Sequence, residues 1–438
     1  MHKLYHNSLK CLAVIAILAL GACHQTSKVV QDITPNMEWM KEKKAAEVKP
    51  VTPPPPSPIA AQDQANLPKG TRSLKDTVLE PINTQVNIAL LLPLSGPNAR
   101  LGRDLLDAAQ LALFDVKNPE LKLIPLDTQA TAGGAIAAMN QAIANKASIV
   151  VGPLFSHEAL AIAPIAKTHN IEVISFSNDA KVAEAEAFTF GFMPDQQVKR
   201  VLEYALRKGI RDFYVIAPSD ALGKASVAVL EKLKEERGDF NIRYTGTYNT
   251  ATNQGMVEAA RTVANQVLAA RKTEGTDKAR GLLFPEGGSK LMEISKLISG
   301  FGLNANDIRL LGSGQWDDPQ IQKFPRLYGS WFASASPTQR DIFVQHFQKT
   351  FGYEPVRIAS ISYDSVALIG FIAKMSGNRL STGAIINERG FAGVDGVFRF
   401  SPGRVSERSL AVLEVIPNGF EIVDEAPKAL TPYSAEKR

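Results

Sequence analysis

Cysteine is scarce in this sequence: its 438 residues include two, Cys11 and Cys23, both near the N-terminus. That placement excludes a disulfide framework or a cysteine-rich zinc site in the rest of the chain. The chain also has only a small excess of positive over negative charge. The net charge of +5 divides into +2 for residues 1–23, +1 for residues 24–84 and +2 for the remainder. So small an excess over a long body gives no field that would attract a polyanion such as nucleic acid.

The sequence motifs of common hydrolases and nucleotide-binding enzymes are missing as well. The chain has no GxSxG nucleophile elbow, no GxxxxGK[ST] phosphate loop and no GxGxxG after a predicted strand. Its one SxxK pattern lies at 434–437, in a tail that cannot hold a nucleophile in place. Three histidines without metal-binding spacing occur in the body: His157, His169 and His346. Asp317 and Asp318 are interpreted as solvated turn residues. We therefore expect a protein that is not an enzyme and has neither a metal nor a cofactor.

The N-terminus combines basic residues with a short apolar run. Lys3 and Lys10 precede or adjoin the run at 11–20, which is shorter than the about 20 residues that a membrane-spanning helix needs. This combination is typical of a secretory signal. The signal ends in Leu20-Gly21-Ala22-Cys23, which resembles a bacterial lipobox; an ordinary signal peptide with a chance cysteine is the alternative. We expect removal of residues 1–22 and lipidation of Cys23. Because His24 follows and not aspartate, we expect a periplasmic protein anchored to the outer membrane.

Residues 23–85 lack sustained apolar periodicity. Prolines at positions 50, 53–56 and 58 favour polyproline II structure, and charged and glutamine-containing stretches surround them. A recognition motif is one interpretation, and a spacer is the more common one. About 60 extended residues reach roughly 200 Å. We therefore predict a disordered, proline-rich tether that holds the folded body away from a membrane.

From residue 86 to about residue 425, apolar strands alternate with amphipathic helices. The alternation restarts at residue 196, which indicates βαβ units and two successive sheets. The predicted fold class is α/β, with two doubly wound lobes joined by hinge crossovers. We assign about 86–195 and 330–380 to lobe 1, and about 196–329 and 381–425 to lobe 2. Residues 394–423 are predicted to form two β-hairpins, and residues 426–438 a tail.

Small and polar residues follow three of the predicted strands of lobe 1. They are Ser95 and Gly96 after the first strand, Ser156 after the third, and Ser175, Ser177, Asn178 and Asp179 after the fourth. Each is also an ordinary helix-capping or turn residue. Ligands bind beyond the carboxyl ends of such strands, where hydroxyl and backbone N–H groups can hold a carboxylate. Three clusters at one sheet edge therefore favour a shared ligand cleft.

Several of these segments resemble one protein family. The sequences NIALLLPLSGPNARLGR at 87–103, Gly-Pro at 152–153, ISFSND at 174–179 and FAGVDGVFRFSPGRV at 391–405 are similar to type I periplasmic binding proteins of the leucine-binding family. The similarity covers roughly 86–425. It implies two α/β lobes joined by three crossovers, and a cleft that closes on a small ligand by hinge motion.

The resemblance also implies roles for individual residues. Ser156 and the segment 175–179 fall where amino-acid-binding members hold the ligand carboxylate. The aromatic residue that covers the ligand in the family falls near Leu222, and the acid that holds the ammonium group falls near the neutral Gln315. Glu286 is a nearby acid in another loop. An amide forms a weaker bond to ammonium than a carboxylate does, so binding of an amino acid is in doubt.

Two functions are compatible with this pattern. The same fold occurs in lipoproteins that resemble penicillin-binding protein activators, and the lipobox, the tether and the weakened amino-acid site favour an activator of a peptidoglycan synthase. The helical-repeat domain of the best-known activators is lacking, however. The alternative is the substrate-binding component of an amino-acid-type ABC transporter, with an ABC permease as partner and an amino-acid-like ligand. From the sequence alone we favour the activator.

Overall fold

The structure is a computed structural model, and it describes residues 85–275 and 278–432. These residues belong to one compact unit, Glu80–Arg438. Cys11, Cys23, the predicted signal peptide and the predicted tether (apart from residue 85) lie outside the described residues, as does the end of the tail. No helix in the described ranges combines the length and apolarity needed to cross a membrane.

Lobe 1 is built on a parallel sheet. Its strands are β1 (Val86–Leu92), β2 (Leu121–Asp127), β3 (Ile149–Val151), β4 (Glu172–Ser175) and β5 (Phe188–Thr189), in the order β2-β1-β3-β4-β5. The connecting helices are α1 (Ala99–Val116), α2 (Ala132–Ala144), α3 (Ser156–Thr168) and α4 (Lys181–Glu184). Because side chains alternate along a strand, Ile88 and Leu90 pack against α1 whereas Ala89 and Leu91 pack against α2 and α3.

Lobe 2 is built on a larger, mixed sheet. Its strands are β6 (Asp212–Pro218), β7 (Asn241–Tyr248), β8 (Arg280–Leu283), β9 (Arg309–Gly312), β10 (Trp331–Ser334), β14 (Ala411–Ile416) and β15 (Gly419–Asp424). The order is β15-β14-β10-β9-β8-β6-β7, parallel from β7 to β10 and antiparallel at β14 and β15. One face is covered by α5 (Pro194–Arg207) and α6 (Ala221–Arg237), and the other by α7 (Met256–Glu274) and α8 (Gly288–Gly300).

Later segments of the chain complete lobe 1. Helices α9 (Pro337–Phe351) and α10 (Ala359–Ser376) pack on α1, and α11 (Thr382–Ile385) follows them. A small antiparallel sheet then forms from β11 (Phe391–Gly393), β12 (Gly396–Phe400) and β13 (Ser406–Arg408). Phe398 and Phe400 of β12 contact Phe190 beside β5. The chain thus passes between the lobes after β5, after β10 and after β13, which confirms the predicted two-lobe α/β architecture.

Two segments lie in a different lobe from the one predicted. Strand β10, within the 330–380 segment assigned to lobe 1, pairs with β9 and β14 of lobe 2. Strands β11–β13, within the 381–425 segment assigned to lobe 2, pack on lobe 1 through the phenylalanines of β12. The physical reason is that a strand pairs with strands that are far away in the sequence. The pattern of residues within one short apolar segment does not specify which strands these are. The two hairpins, β12–β13 and β14–β15, form as predicted.

The first turn of α2 requires glycine at position 134. The hydroxyl of Thr131 accepts a hydrogen bond from the N–H of Gly134 at 3.0 Å, which caps the helix. A Cβ atom on Gly134 would lie 2.1 Å from the carbonyl oxygen of Thr128, whereas a Cβ on the adjacent Gly133 would have no neighbour within 4 Å. Two consecutive helical glycines therefore differ in whether an alanine fits.

We expect Gly134→Ala to lower the free energy of unfolding by about 1–3 kcal/mol, because the added methyl group displaces the backbone at the start of α2. The matched variant Gly133→Ala should raise it by up to about 1 kcal/mol, because alanine is the better helix former. Urea denaturation of both variants and the wild type measures these changes. Equal effects of the two substitutions would contradict the close approach at Gly134.

Candidate functional site

A cavity of about 610 Å³ lies between the two lobes, at the carboxyl ends of their parallel strands. Its size is within the range of small-molecule binding sites. Lobe 1 contributes residues that follow β3 and β4 and residues at the start of α10, whereas lobe 2 contributes residues that follow β9 and the last residue of β10. Four of the residues expected from the sequence line it: Ser156, Ser177, Asn178 and Gln315.

Ser156 is held at the cavity by the first turn of α3. The side chain of Glu158 accepts a hydrogen bond from the N–H of Phe155 at 3.1 Å, and this contact fixes the entry to the helix. Glu158 is fully buried, and burial raises the pKa of its carboxyl group. His157 also lines the cavity, with its Nε2 atom 3.2 Å from the carbonyl oxygen of Ala130. The N–H of Glu158 donates to the carbonyl oxygen of Phe155 at 3.1 Å, whereas the N–H groups of Ser156 and His157 have no acceptor among the described residues, so this corner of the cavity can donate hydrogen bonds to a ligand.

Some polar residues of the loop after β4 stabilise the loop itself, and others line the cavity. Ser175 is fully buried; its hydroxyl donates to the carbonyl oxygen of Pro153 at 3.0 Å and accepts from the N–H of Ser177 at 3.1 Å. Asp179 accepts from the N–H of Lys181 at 3.0 Å and begins the next turn. Neither residue lines the cavity, whereas Ser177 and Asn178 do. Ser175 and Asp179 thus shape the loop that presents their neighbours.

The backbone N–H groups of the loop after β1 are already hydrogen-bonded to a side chain of lobe 1. The N–H groups of Leu94 and Ser95 donate to the Oδ1 atom of Asp127, at 2.8 and 3.3 Å. Burial acts to raise the pKa of Asp127, but the hydrogen bonds from Ser95 and from backbone N–H groups outweigh it and hold that pKa below its usual value. Gly96 has a left-handed backbone, with φ of 72°. Ser95 and Gly96 are not among the cavity-lining residues, so they serve the turn and not the cavity.

In lobe 2, the turn after β9 presents Gln315 to the cavity. Its Oε1 atom accepts a hydrogen bond from the N–H of Gly287 at 3.2 Å. The next residue, Trp316, is buried and donates from Nε1 to the carbonyl oxygen of Glu286 at 3.0 Å. A Cβ atom on Gly312 would lie 2.1 Å from the indole ring of Trp316, so glycine at 312 allows this turn to fold back. The turn is therefore fixed on both sides of Gln315.

Glu286 and Leu222 do not line the cavity. The hydroxyl of Tyr248 donates a hydrogen bond to the carboxylate of Glu286, and burial together with that carboxylate raises the pKa of Tyr248. Leu222 lies in the first turn of α6, where its carbonyl oxygen accepts from the hydroxyl of Ser226 at 2.7 Å. The two residues that could have completed an amino-acid site thus lie elsewhere in lobe 2.

Arg357 and Asp317 line the cavity and join the lobes, although the sequence analysis did not identify them as site residues. The Nε atom of Arg357 donates to Asp317 of lobe 2 at 3.0 Å, while its Nη1 atom lies 3.0 Å from the carboxylate of Asp395 in lobe 1. Asp317 also lies 3.4 Å from the guanidinium of Arg340 and accepts from the hydroxyl of Ser334 at 3.2 Å. The interpretation of Asp317 as a solvated turn residue was wrong.

Gln197 is a second cavity residue that the sequence analysis missed. It lies in the first turn of α5, directly after the first crossover, and its Oε1 atom accepts from the N–H of Gly314 at 3.0 Å. The crossover itself brings Phe192 to the cavity, where its ring stacks under the guanidinium of Arg357 at 4.7 Å. In the sequence, the position of Gln197 three residues after Pro194 marks the start of a helix but gives no indication of a ligand.

A buried ionic pair supports this side of the cavity. Asp364 of α10 accepts a hydrogen bond from the N–H of Val394 at 2.8 Å, and the guanidinium of Arg408 lies 3.8 Å from it. The guanidinium carbon of Arg408 also lies 4.2 Å from the ring centre of Phe190 and 5.3 Å from that of Phe398. Burial raises the pKa of Asp364 to about 7 although Arg408 acts to lower it. Within residues 85–275 and 278–432, no group of His, Cys, Asp and Glu side chains could hold a metal ion.

The raised pKa of the Asp364 carboxyl group should make the stability of the fold depend on pH. Folded chains keep the proton of Asp364 up to about pH 7, whereas unfolded chains lose it near pH 4. This group therefore makes the free energy of unfolding fall as pH rises between those values, by up to about 1.4 kcal/mol per pH unit. Asp364→Asn keeps an oxygen for Val394 and should remove that part of the slope. Urea denaturation from pH 4 to 8 tests this, with Asp341→Asn on the exposed face of α9 as the charge-matched control. An unchanged slope in Asp364→Asn would contradict it.

The sequence is similar to those of known proteins over most of the described range. Residues 85–419 match the sequence profile of the periplasmic binding protein family. An uncharacterised protein of Rickettsia prowazekii is 25% identical over 202 residues, which are 46% of this chain and 53% of that protein. The chain thus aligns with about half the length of this relative.

Solved structures of binding proteins share the fold. A branched-chain amino acid ABC transporter protein from Rhodospirillum rubrum superposes with a TM-score of 0.67 and 18% identity, covering 77% of this chain and 100% of that one. A leucine-binding protein from Thermotoga maritima has a TM-score of 0.55 and 18% identity, and the superposition covers 80% of this chain and 99% of that one. An ABC transporter solute-binding protein from Rhodopseudomonas palustris BisB5, in complex with 3,4-dihydroxybenzoic acid, has a TM-score of 0.58 and 18% identity. The superposition covers 80% of this chain and 99% of that one. The family profile spans most of the chain, so the chain belongs to the periplasmic binding protein family, and its fold agrees with that of these solved binding proteins.

Proposed function

We propose that the chain is the substrate-binding component of an ABC transporter, which captures a small solute between its lobes and presents it to a permease. The observation that carries this proposal is the interlobe cavity, which polar side chains from both lobes line. Family membership implies a periplasmic location and a protein that binds solutes without transforming them. The similar structures from Rhodospirillum rubrum and Thermotoga maritima are named as transporter and leucine-binding proteins.

The arrangement of the lining residues suits capture of a solute by closure of the two lobes. Ser156, Ser177 and Asn178 belong to lobe 1, whereas Gln315 and Gln197 belong to lobe 2. A solute can contact both sets only when the lobes approach each other, so binding energy would favour the closed arrangement. The three crossovers restrict the relative motion of the lobes to a hinge. A permease could then distinguish the loaded from the empty protein by the angle between the lobes.

The activator hypothesis, favoured by the sequence alone, has less support. It depended on the predicted tether and lipobox, which lie outside the described residues, and on the weakened amino-acid site. None of the similar proteins above is named as an activator of a peptidoglycan synthase, whereas those from Rhodospirillum rubrum and Rhodopseudomonas palustris are named as ABC transporter proteins. The comparisons therefore favour a permease over a synthase as the partner.

We expect the protein purified from its native envelope to carry a small molecule that mass spectrometry detects after denaturation. Titration of that molecule back into the emptied protein should give heat in calorimetry. Ser156→Ala should weaken its affinity about tenfold, because one hydrogen bond contributes about 1–1.5 kcal/mol. Ser95→Ala is the matched control, since Ser95 lies at a strand end but not at the cavity, and its affinity should equal that of the wild type. Absence of any bound molecule, or equal weakening by both variants, would contradict the proposal.

The proposal extends to the membrane anchor. Cleavage before Cys23 and acylation of its thiol would place the binding lobes on a membrane surface, and the residue that follows, His24, favours the outer membrane. Intact mass measurement of the mature protein should show a lipid-modified N-terminal cysteine, and fractionation should place the protein in the outer membrane. Cys23→Ser should release an unmodified chain into the soluble fraction. A mature wild-type chain without lipid would contradict this part of the proposal.

A further inference from the structure

The cavity offers no unpaired carboxylate to a ligand. Asp317 is the one acidic side chain among the described residues that line it, and it already contacts Arg357, Arg340 and the hydroxyl of Ser334. Glu286, the other candidate in lobe 2, accepts the hydroxyl of Tyr248 and lies outside the lining. A buried ammonium group needs a carboxylate partner to offset its loss of hydration. A ligand with an ammonium group would therefore have to break one of these contacts.

Hydrogen-bond donors, by contrast, remain available on both sides of the cavity. Gln197 is 7% exposed and lines the cavity from lobe 2. Its Oε1 atom is used by Gly314, and its Nε2 donor has no acceptor in the part of the chain that the structure describes. From lobe 1, the first turn of α3 presents the N–H groups of Ser156 and His157, which have no acceptor among the described residues, together with the positive end of the helix dipole. The two sets of donors lie on opposite lobes and would converge on an acceptor between them.

The charged side chains at the cavity also suit an anion better than a cation. Arg357 lines the cavity and places a guanidinium group there. Together with Arg340 it surrounds Asp317, and its Nη1 atom lies 3.0 Å from the carboxylate of Asp395. A carboxylate that enters the cavity is attracted by Arg357, whereas a cation would have to compete with the two guanidinium groups for Asp317.

Part of the lining is apolar. Leu101, Leu154, Phe176, Ile358 and Ile361 contribute to it from lobe 1. We infer that the cavity takes a small organic carboxylate with an apolar body and no ammonium group, held by Gln197 and by the first turn of α3. This inference rests on the proposed function and makes its ligand class specific: a simple carboxylic acid in place of an α-amino acid.

Matched pairs of ligands test the inference on the purified full chain. Leucine and 4-methylpentanoate share a carbon skeleton and differ in the α-ammonium group, as do phenylalanine and 3-phenylpropanoate. We expect at least one of the two acids to bind, and its amino-acid counterpart to bind at least about 100-fold more weakly, because an ammonium group would be left unpaired. Isothermal titration calorimetry measures both members of each pair.

The outcomes separate the ligand class from the function. Equal or tighter binding of leucine or phenylalanine would overturn the inference while the proposed solute-binding function stands. The same holds if none of the four probes binds but mass spectrometry finds an amine-bearing solute in the native protein. If none of the four binds and the native protein carries no small molecule, both the inference and the proposed function fail.

A substitution at Gln315 provides a second test. Gln315→Glu keeps the oxygen that accepts the N–H of Gly287 and adds one negative charge at the cavity. It should weaken binding of whichever acid binds the wild type by about tenfold or more, through repulsion. Gln141→Glu adds the same charge near the end of α2, at the edge of the sheet away from the cavity, and should leave affinity unchanged. Unaltered or tighter binding of the acid by Gln315→Glu would overturn the inference. Thermal melting confirms that both variants are folded.

Discussion

The guanidinium group of Arg357 links two lobes whose sheets share no strand pairing among the described residues. It contacts a carboxylate of lobe 2, Asp317, and a carboxylate of lobe 1, Asp395, while Phe192 of the first crossover stacks on it. Buried ion pairs contribute little net stability, because the loss of hydration offsets much of the attraction. Their geometry is strict, however. The contacts of Arg357 therefore hold the lobes at the spacing seen in this structure, and that spacing sets the size of the cavity described above.

The same contacts set the chemistry of the cavity. Because Asp317 is occupied, the cavity presents amide, hydroxyl and backbone N–H donors in preference to acceptors. The leucine-binding resemblance leads to the opposite expectation, in which an acid of lobe 2 holds an ammonium group. In this chain the neutral Gln315 stands near that position, and its amide oxygen is bound to the backbone of Gly287. The ligand class that we infer from the site thus differs from the one that the resemblance alone implies, since the same fold can hold different sites.

Local patterns allowed much of the fold to be predicted from the sequence. Runs of buried residues such as those of β1 and β6, separated by amphipathic helices, identify βαβ units because both signals lie within a few residues of each other. The placement of β10 and of β11–β13 could not be predicted in this way, because it depends on pairing and packing with strands far away in the chain. Two-residue and three-residue strands such as β5 and β11 carry too few residues to show a period.

The site was predictable only in part, for a related reason. Serine, asparagine and aspartate at strand ends serve turns and ligands alike, so that Ser175 and Ser177, two residues apart, have different roles. Arg357 reaches the cavity from the loop between α9 and α10, and Gln197 from the first turn of α5, where no pattern in the sequence marks them as ligand-binding residues. Their function follows from the partners that the fold brings to them, such as Asp317 and Gly314.

The three crossovers have a consequence for how the chain folds as it is synthesised. Helix α10, which covers the inner face of β1, follows the whole parallel part of the lobe 2 sheet in the sequence. Ile88 and Leu90 therefore remain without their final cover after β1 to β5 have left the ribosome, and lobe 1 becomes complete only when the segment through β13 emerges. Neither lobe is a contiguous segment of the chain, so neither can be completed before nearly the full length has been made.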